Sequence, residues 1–355
     1  MSKLEVKKYT QIDENLLSKW NELWQNSVNA HPFNSPNWFL ACREAFGYFQ
    51  HVIFVALKDG KAVGVFPLVT SQKYGLRIFA SPGGKYLDKN SLLLSSDNTQ
   101  VLAALLFETG KLGNLDFCEV EEHFVETLKK INSDILVYGY EMNHFVPNEA
   151  SFLRNLDAAK SRRIENKLEK FSAKLRYEMV SEVKKNHIDL VSQIEAESSR
   201  RHSGMGTFTD PIAYKLYLSF VKYFEGKIRL GLLFYDEKAI AYRFGLLSGK
   251  TFYETNTAYL DGFQEIMPGK LLLYLMCKSF DEEGIELLDW LRGTSTLKEE
   301  FTPYFVKQYS VFYSNSIISR FWWKLITSFF DILKNSKTIY KIINIVRYRL
   351  LAHEN

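Results

Sequence analysis

FYETNTAYLDGFQEIMPGKLLLYLMCKSFDEEGIELLDWLRGTSTLKEEFTPYF, residues 252–305, runs through strand, helix and strand periodicities in turn. Lys250–Asn256 reads as a strand. A polar loop then leads to Met267-Pro268-Gly269-Lys270, which opens an apolar helix over Gly269–Glu283 with Gly284 just past its end. Glu286–Trp290 returns as a strand. A helix between two strands must lie on a sheet, which places the chain in the α/β class. The free amides opening that helix, beside Lys270, form either a phosphate or pyrophosphate site or an ordinary Pro-Gly helix entry, and spacing does not separate the two.

Upstream, helices are expected over Lys184–Arg201 and Asp210–Tyr223, the second with Thr209 as its cap, before a hairpin of Ile228–Tyr235 and Ala239–Leu247. The same layout occurs in the first half. Helical periodicity at 14–30 and after Ser35-Pro36 precedes apolar runs at His51–Leu57 and Ala62–Val69, joined by Lys58-Asp59-Gly60-Lys61. FVALKDGKAVGVF (54–66) and LLFYDEKAIAYRF (232–244) share Asp59/Asp236, Lys61/Lys238 and Ala62/Ala239 at a constant offset of 177 residues. Duplication of an α–α–β–β unit follows. Ser151–Lys174, without Gly or Pro, reads as a charged helix bridging the copies with one face in water. The expected divisions are 1–150, a linking helix over 151–178, 179–315 and a tail over 316–355.

Composition narrows the function. The 355 residues are 46% hydrophobic and 15% aromatic, which excludes disordered and fibrous classes. A net charge of +4 makes no case for wrapping nucleic acid, and none is expected as a partner. Cys42, Cys118 and Cys277 form no pair motif and the seven histidines no zinc spacing, so buried thiols, a reducing compartment and no metal are expected. Met1–Gln11 lacks an apolar run, and no signal peptide or spanning helix is expected. There is no GxSxG, HExxH or GxxxxGK[ST].

The stretch at 252–305 resembles the acetyltransferase-like module of the CelD/BioF-like, cellulose-biosynthesis-protein type, which is related to the tandem acyltransferases that add amino acids to peptidoglycan precursors. PGKLLL, LDWLRG and LKEEF carry the resemblance, and FNSPNWFLACREAFG and FPLVTSQKYGLRIFASPGG extend it over roughly residues 30–312. It implies two GNAT-like domains in tandem, mixed α/β, with the acyl-transfer site in the second. Asp289 and Gly293 match the family's Asp-x-x-x-Gly, Lys298 the lysine before Phe301, and Pro268 and Gly269 the turn before the donor-side helix. Leu297 stands where an aromatic residue is common. The Gln-x-x-Gly-x-Gly pyrophosphate loop is reduced to Gln264 and Gly269.

The implied reaction is transfer of an acyl group, from acyl-CoA (acetyl-CoA) as co-substrate, to an amine of an amino sugar or other cell-surface polysaccharide or glycolipid precursor. Such transfer passes through an oxyanion that needs positive charge or amides aimed at it. Lys298 is the candidate donor, or else a solvated lysine. Asp289 and Glu254 are candidate general bases, with a structural carboxylate as the alternative for Asp289. Arg243 and Tyr259 are candidates for holding substrate, and Pro268, Gly269 and Lys270 for the donor. A non-catalytic scaffold of the same fold, or an aminoacyl-tRNA-dependent transferase, are the other readings.

The tail stands apart. Between residues 316 and 355 seven basic side chains outnumber two acidic ones, so the whole positive excess sits there. Phe321, Trp322, Leu325, Phe329 and Leu333 follow helical spacing, Lys334–Lys337 interrupts it, and Ile339, Ile342, Ile343, Val346 and Leu350 resume it. A basic amphipathic helix of this kind implies an anionic membrane surface as partner, with Trp322, Trp323, Phe329 and Phe330 inserted, or else packing on the body. A cytoplasmic protein, peripheral at the inner face of the membrane, is expected.

Overall fold

The structure is a computed structural model that describes residues 4–335 apart from 49, 97, 150, 155 and 203–205. In the first half β1 (Leu4–Tyr9) leads to α1 (Glu14–Asn26), α2 (Pro36–Phe46), β2 (His51–Lys58), β3 (Lys61–Lys73) and β4 (Leu76–Ala80). The short β5 (Leu93–Leu94), α3 (Thr99–Gly110), β6 (Asn114–Glu121), α4 (Glu122–Ile131) and β7 (Leu136–Pro147) follow. After α5 (Ala158–Phe171), the second half repeats the plan with β8 (Leu175–Val180), α6 (Lys185–Ala196), α7 (Ser199–His202) and α8 (Pro211–Tyr223). Next come β9 (Ile228–Tyr235), β10 (Lys238–Ser248), β11 (Thr251–Tyr259), α9 (Pro268–Glu283), β12 (Leu287–Arg292), α10 (Thr296–Phe301) and β13 (Phe305–Tyr313). α11 (Ile317–Asn335) closes the described chain.

Local chemistry sets most of these boundaries. Ser35 caps α2 by accepting the Trp38 N–H at 3.0 Å, Pro36 occupies the first turn, and Gly47 ends the helix at φ 64°. Asp210, not Thr209, caps α8, because its carboxylate accepts the Ile212 N–H at 2.9 Å. Both hairpins turn on two residues of positive φ: Asp59 and Gly60 at 51° and 81°, Asp236 and Glu237 at 45° and 63°. Asp59 and Asp236 thus hold the same position in the two copies.

The halves share one 13-stranded sheet in the order β1-β2-β3-β4-β6-β13-β7-β12-β11-β10-β9-β8, with β5 paired to β3. Read from either end the order is the same: edge strand, hairpin, third strand, then a parallel partner. Each half then receives the other's last strand. β13 pairs with β6 of the first half, β7 pairs with β12 of the second, and β7 and β13 pair with each other at the centre. The exchange departs from the sequence divisions, because β7 belongs spatially to the second half and β13 to the first.

Two further expectations are corrected. The edge strands β1 and β8 were not marked by the apolar pattern. Each has one free edge and carries polar residues, and β8 begins within the end of the 151–178 segment and runs past it to Val180. α5 is mostly exposed, with Ile164 its buried residue. It lies on α9 of the second half, where Tyr274 donates to Glu165 at 2.5 Å. Besides the shared sheet, the halves meet through α2 and α8, where Trp38 stacks on Phe220 with ring centroids 5.5 Å apart.

Candidate active site

β11 and β12 pair in parallel only from Thr251 to Tyr253 against Leu287 to Asp289, and then diverge. Both strands are distorted where they part. β11 slips register against β10 at Phe244/Gly245, leaving Thr255 as an extra residue. β12 breaks against β7 between Asp289 and Arg292, with Leu291 at φ 57°. The wedge between them opens into a cavity of about 430 Å³. Glu254–Thr257 form one wall and Trp290–Arg292 the other, with Tyr217 and Phe220 of α8 and Trp38 of α2 across them.

The first half builds the same wedge and fills it. β4 and β6 pair in parallel over Ile78–Ala80 and Asn114–Asp116, and Glu119 takes φ 59° as Leu291 does in β12. Residues 81–92 then leave the sheet and enter the gap, where Asn90 donates its N–H to the Glu119 carbonyl at 2.9 Å and its amide to the Cys118 carbonyl at 3.0 Å. This excursion also supplies Lys85, Tyr86 and Asp88 to the cavity of the second half. Tyr86 donates to Asp210 at 2.9 Å, and Lys85 pairs with the same carboxylate at 2.8 Å. The cavity is therefore a joint product of both halves.

Charges close the seam. Arg292 lies 2.7 Å from both Asp88 and Glu119, and Lys89 lies 2.6 Å from Glu121 and 3.3 Å from Asp289. Burial pushes the Asp88 carboxyl up to about 6 and that of Glu119 to about 7, against the opposing pull of Arg292. Burial also disfavours a charge on Lys89, yet Asp289 and Glu121 hold it above its ordinary range.

The sequence candidates divide into three groups. Glu254 and Lys298 line the cavity. Glu254 lies 2.5 Å from Arg243. The Lys298 ammonium donates to the carbonyls of Trp290, Leu291, Arg292 and Gly293 at 2.9–3.2 Å, so its three N–H groups are engaged in holding the β12–α10 turn. Desolvation lowers its pKa. Asp289 and Arg243 sit behind the wall, each about 2% exposed. Asp289 accepts the Leu291 N–H at 2.9 Å and so supports the break in β12, which fits the structural alternative that the sequence left open beside a general base. Arg243 grips Glu254 and the Gly269 carbonyl, the latter at 3.1 Å, so it ties β10 and β11 to α9 rather than reaching substrate.

The third group gathers at the start of α9, outside the cavity lining. Pro268 and Gly269 form its first turn after Met267 at φ 60°, Tyr259 packs over Gly269, and Lys270 is paired with Glu300 at 2.6 Å. Sequence reasoning missed Asp88, Tyr86, Arg292 and Trp290. Trp290 and Arg292 stood inside the LDWLRG motif, but nothing local marked them. The Trp290 indole nitrogen is buried without a hydrogen-bond partner, in a residue of the cavity wall.

The site is thus a parallel pair that splays after three residues, with α9 between its strands and a cavity in the wedge. Residues 158–299 match the family model described as acetyltransferase (GNAT) domain. That span runs from α5 into α10 and holds every second-half residue of the cavity. Among solved structures the chain is similar to FemX, at 12% identity and a TM-score of 0.66 over 87% of this chain and 97% of that one. It is similar to L-PGS from Bacillus licheniformis, at 12% identity and a TM-score of 0.54 over 89% and 96%. A tandem GNAT protein from the clavulanic acid biosynthesis pathway aligns at 12% identity and a TM-score of 0.50 over 88% and 99%. No curated protein matches the chain. The fold is thus two GNAT-like halves in tandem, and the open wedge lies in the half that the GNAT model matches.

Proposed function

We propose that this protein is an acyltransferase that joins an acyl or aminoacyl group to an amine in the wedge between β11 and β12. The observation that carries the reading is the open wedge itself, in the half that matches a GNAT acetyltransferase domain, beside a first-half copy filled by residues 81–92. In such a transfer the acceptor nitrogen bonds to the acyl carbon, the bond to the donor breaks, and the nitrogen's proton must leave. Asp88, in the wall and held to about 6, takes that proton at neutral pH, and Glu254 is the second carboxylate of the cavity. The unpartnered Trp290 N–H serves the oxyanion, and Lys298 fixes the strand end that carries Trp290.

An acyl-CoA donor, an amino-sugar acceptor and the CelD/BioF-like relationship are the finer parts of this reading. The wedge suits the acyl end of such a donor. The start of α9 suits its pyrophosphate less well, because Lys270 is consumed by Glu300 and Glu265 stands in the preceding loop. That observation favours a second reading, a donor other than CoA. Incubation with acetyl-CoA and glucosamine, read as free thiol, tests the first reading. Acceptor-dependent thiol release supports it. Acetyl-CoA that binds without turnover over a panel of amines points to a scaffold, and no binding removes CoA as donor.

A further inference from the structure

We propose that the outward face of α11 is a docking surface for an anionic lipid bilayer. α11 is apolar on two opposite sides. Its inner side is anchored by Trp323, fully buried and stacked on Phe312 with centroids 4.1 Å apart, between Tyr74 and Tyr138. Arg320 pairs with Asp134 and the Trp322 indole N–H donates to the Tyr74 carbonyl at 3.0 Å, so the helix is held on the body by polar contacts as well. At 100° per residue, Ile318, Phe321, Leu325, Phe329 and Ile332 all fall on the side away from Trp323. They are at least half exposed, Ile318 reaching 82% and Phe321 and Ile332 67%. A stripe of five large apolar side chains over four turns is what soluble surfaces avoid unless something covers it.

Charge selects the occupant. Lys324 flanks the stripe, Lys334 follows it, and residues 316–355 carry seven basic side chains against two acidic ones. A second copy laid on this face would bring the same excess against itself, whereas an anionic headgroup layer meets it with the opposite sign. Among the described residues no helix is long and apolar enough to cross a membrane, so the contact is one of lying on the surface. The expectation that Trp323 inserts is corrected, because that ring belongs to the body. Phe321, Leu325 and Phe329 take its place.

Co-sedimentation of the full chain with vesicles of equimolar phosphatidylglycerol and phosphatidylcholine tests this, with phosphatidylcholine alone as control. The wild type is expected to pellet with the anionic vesicles and to be released by high salt. The Ile318→Ser/Phe321→Ser/Leu325→Ser variant is expected to keep its melting temperature and to lose affinity more than tenfold. Lys324→Glu/Lys334→Glu, which leaves the apolar stripe intact, is expected to weaken binding as well, and it decides the matter should the triple variant not fold. Wild-type protein that stays in solution, or variants that bind as wild type does, overturn the proposal. So does a wild-type dimer that the triple variant converts to monomer without lipid, since a second copy would then be the occupant.

Discussion

Trp290 is the side chain on which the proposed chemistry can be read most cleanly. Trp290→Phe keeps an aromatic ring in the wall but removes the five-membered half of the indole together with its unpartnered N–H. Loss of an oxyanion donor costs about a hundredfold in turnover. Trp290→Phe is therefore expected to lower kcat by about that factor with little change in KM, alongside a modest fall in melting temperature from the volume lost at a buried site. Lys298 predicts differently. Its ammonium bonds to four carbonyls, and Lys298→Ala would remove that shared partner at a cost on the order of 2 kcal/mol. A fall in thermal stability alongside any loss of turnover is expected, and unchanged stability would free Lys298 for the oxyanion role. Asp88 and Glu119 add a pH dependence. Both carboxyls rise on folding, so the native state binds more protons than the unfolded chain. Their contribution is fully present below the unfolded range near roughly 4 and is lost as pH climbs through about 6 and about 7. Melting temperature is expected to fall between pH 5 and pH 8, and Asp88→Asn/Glu119→Gln should flatten that slope.

Among the elements, α11 and the 81–92 excursion do the unexpected work. Trp323 buries its whole ring between Phe312, Tyr74 and Tyr138, and large-to-small changes at such sites cost about 3–5 kcal/mol. Trp323→Ala is expected to lower the melting temperature and expose α11 to limited proteolysis, whereas Trp322→Ala, on a half-exposed ring, should do much less. The excursion separates two wedges of the same construction. The divergence of β4 from β6 is occupied by Asn90, while that of β11 from β12 is left open. Asp289→Asn keeps an acceptor for the Leu291 N–H but gives up the charge that holds Lys89. It is expected to loosen the seam while leaving the cavity wall in place, seen as lower stability with KM little changed.

At the scale of the whole molecule the exchange of last strands governs behaviour. β7 is paired to β12 and β13 to β6, so neither half has its full sheet without the other. Arg292 bonded to Glu119, 173 positions away, and Lys89 to Asp289 add buried charges that are costly to leave unpaired. Residues 1–150 expressed alone are expected to be insoluble or unfolded. The full chain should unfold in one calorimetric transition, with equal calorimetric and van't Hoff enthalpies. Two resolved transitions would show the halves to be independent.

What the amino-acid sequence determined by itself is everything that depends on neighbours along the chain. Ser35-Pro36 starts α2, Gly284 stops α9, and Asp59 and Asp236 turn two matching hairpins, because caps and two-residue turns are satisfied within a few residues. The repeated plan and the α/β class followed from those local signals. The site did not. Glu254 and Lys298 were found in the cavity wall, but Asp88 and Arg292 meet only because the first half's excursion crosses to the second. Asp289 as a candidate base and Arg243 as a candidate substrate contact have fitting residue types, yet both are buried behind the wall. Trp322 and Trp323 are adjacent and chemically identical, and a rotation of 100° about the helix axis sends one to the surface and the other into the core. Burial and charge pairing between distant segments belong to the assembled sheet, and only the tertiary structure assigns them.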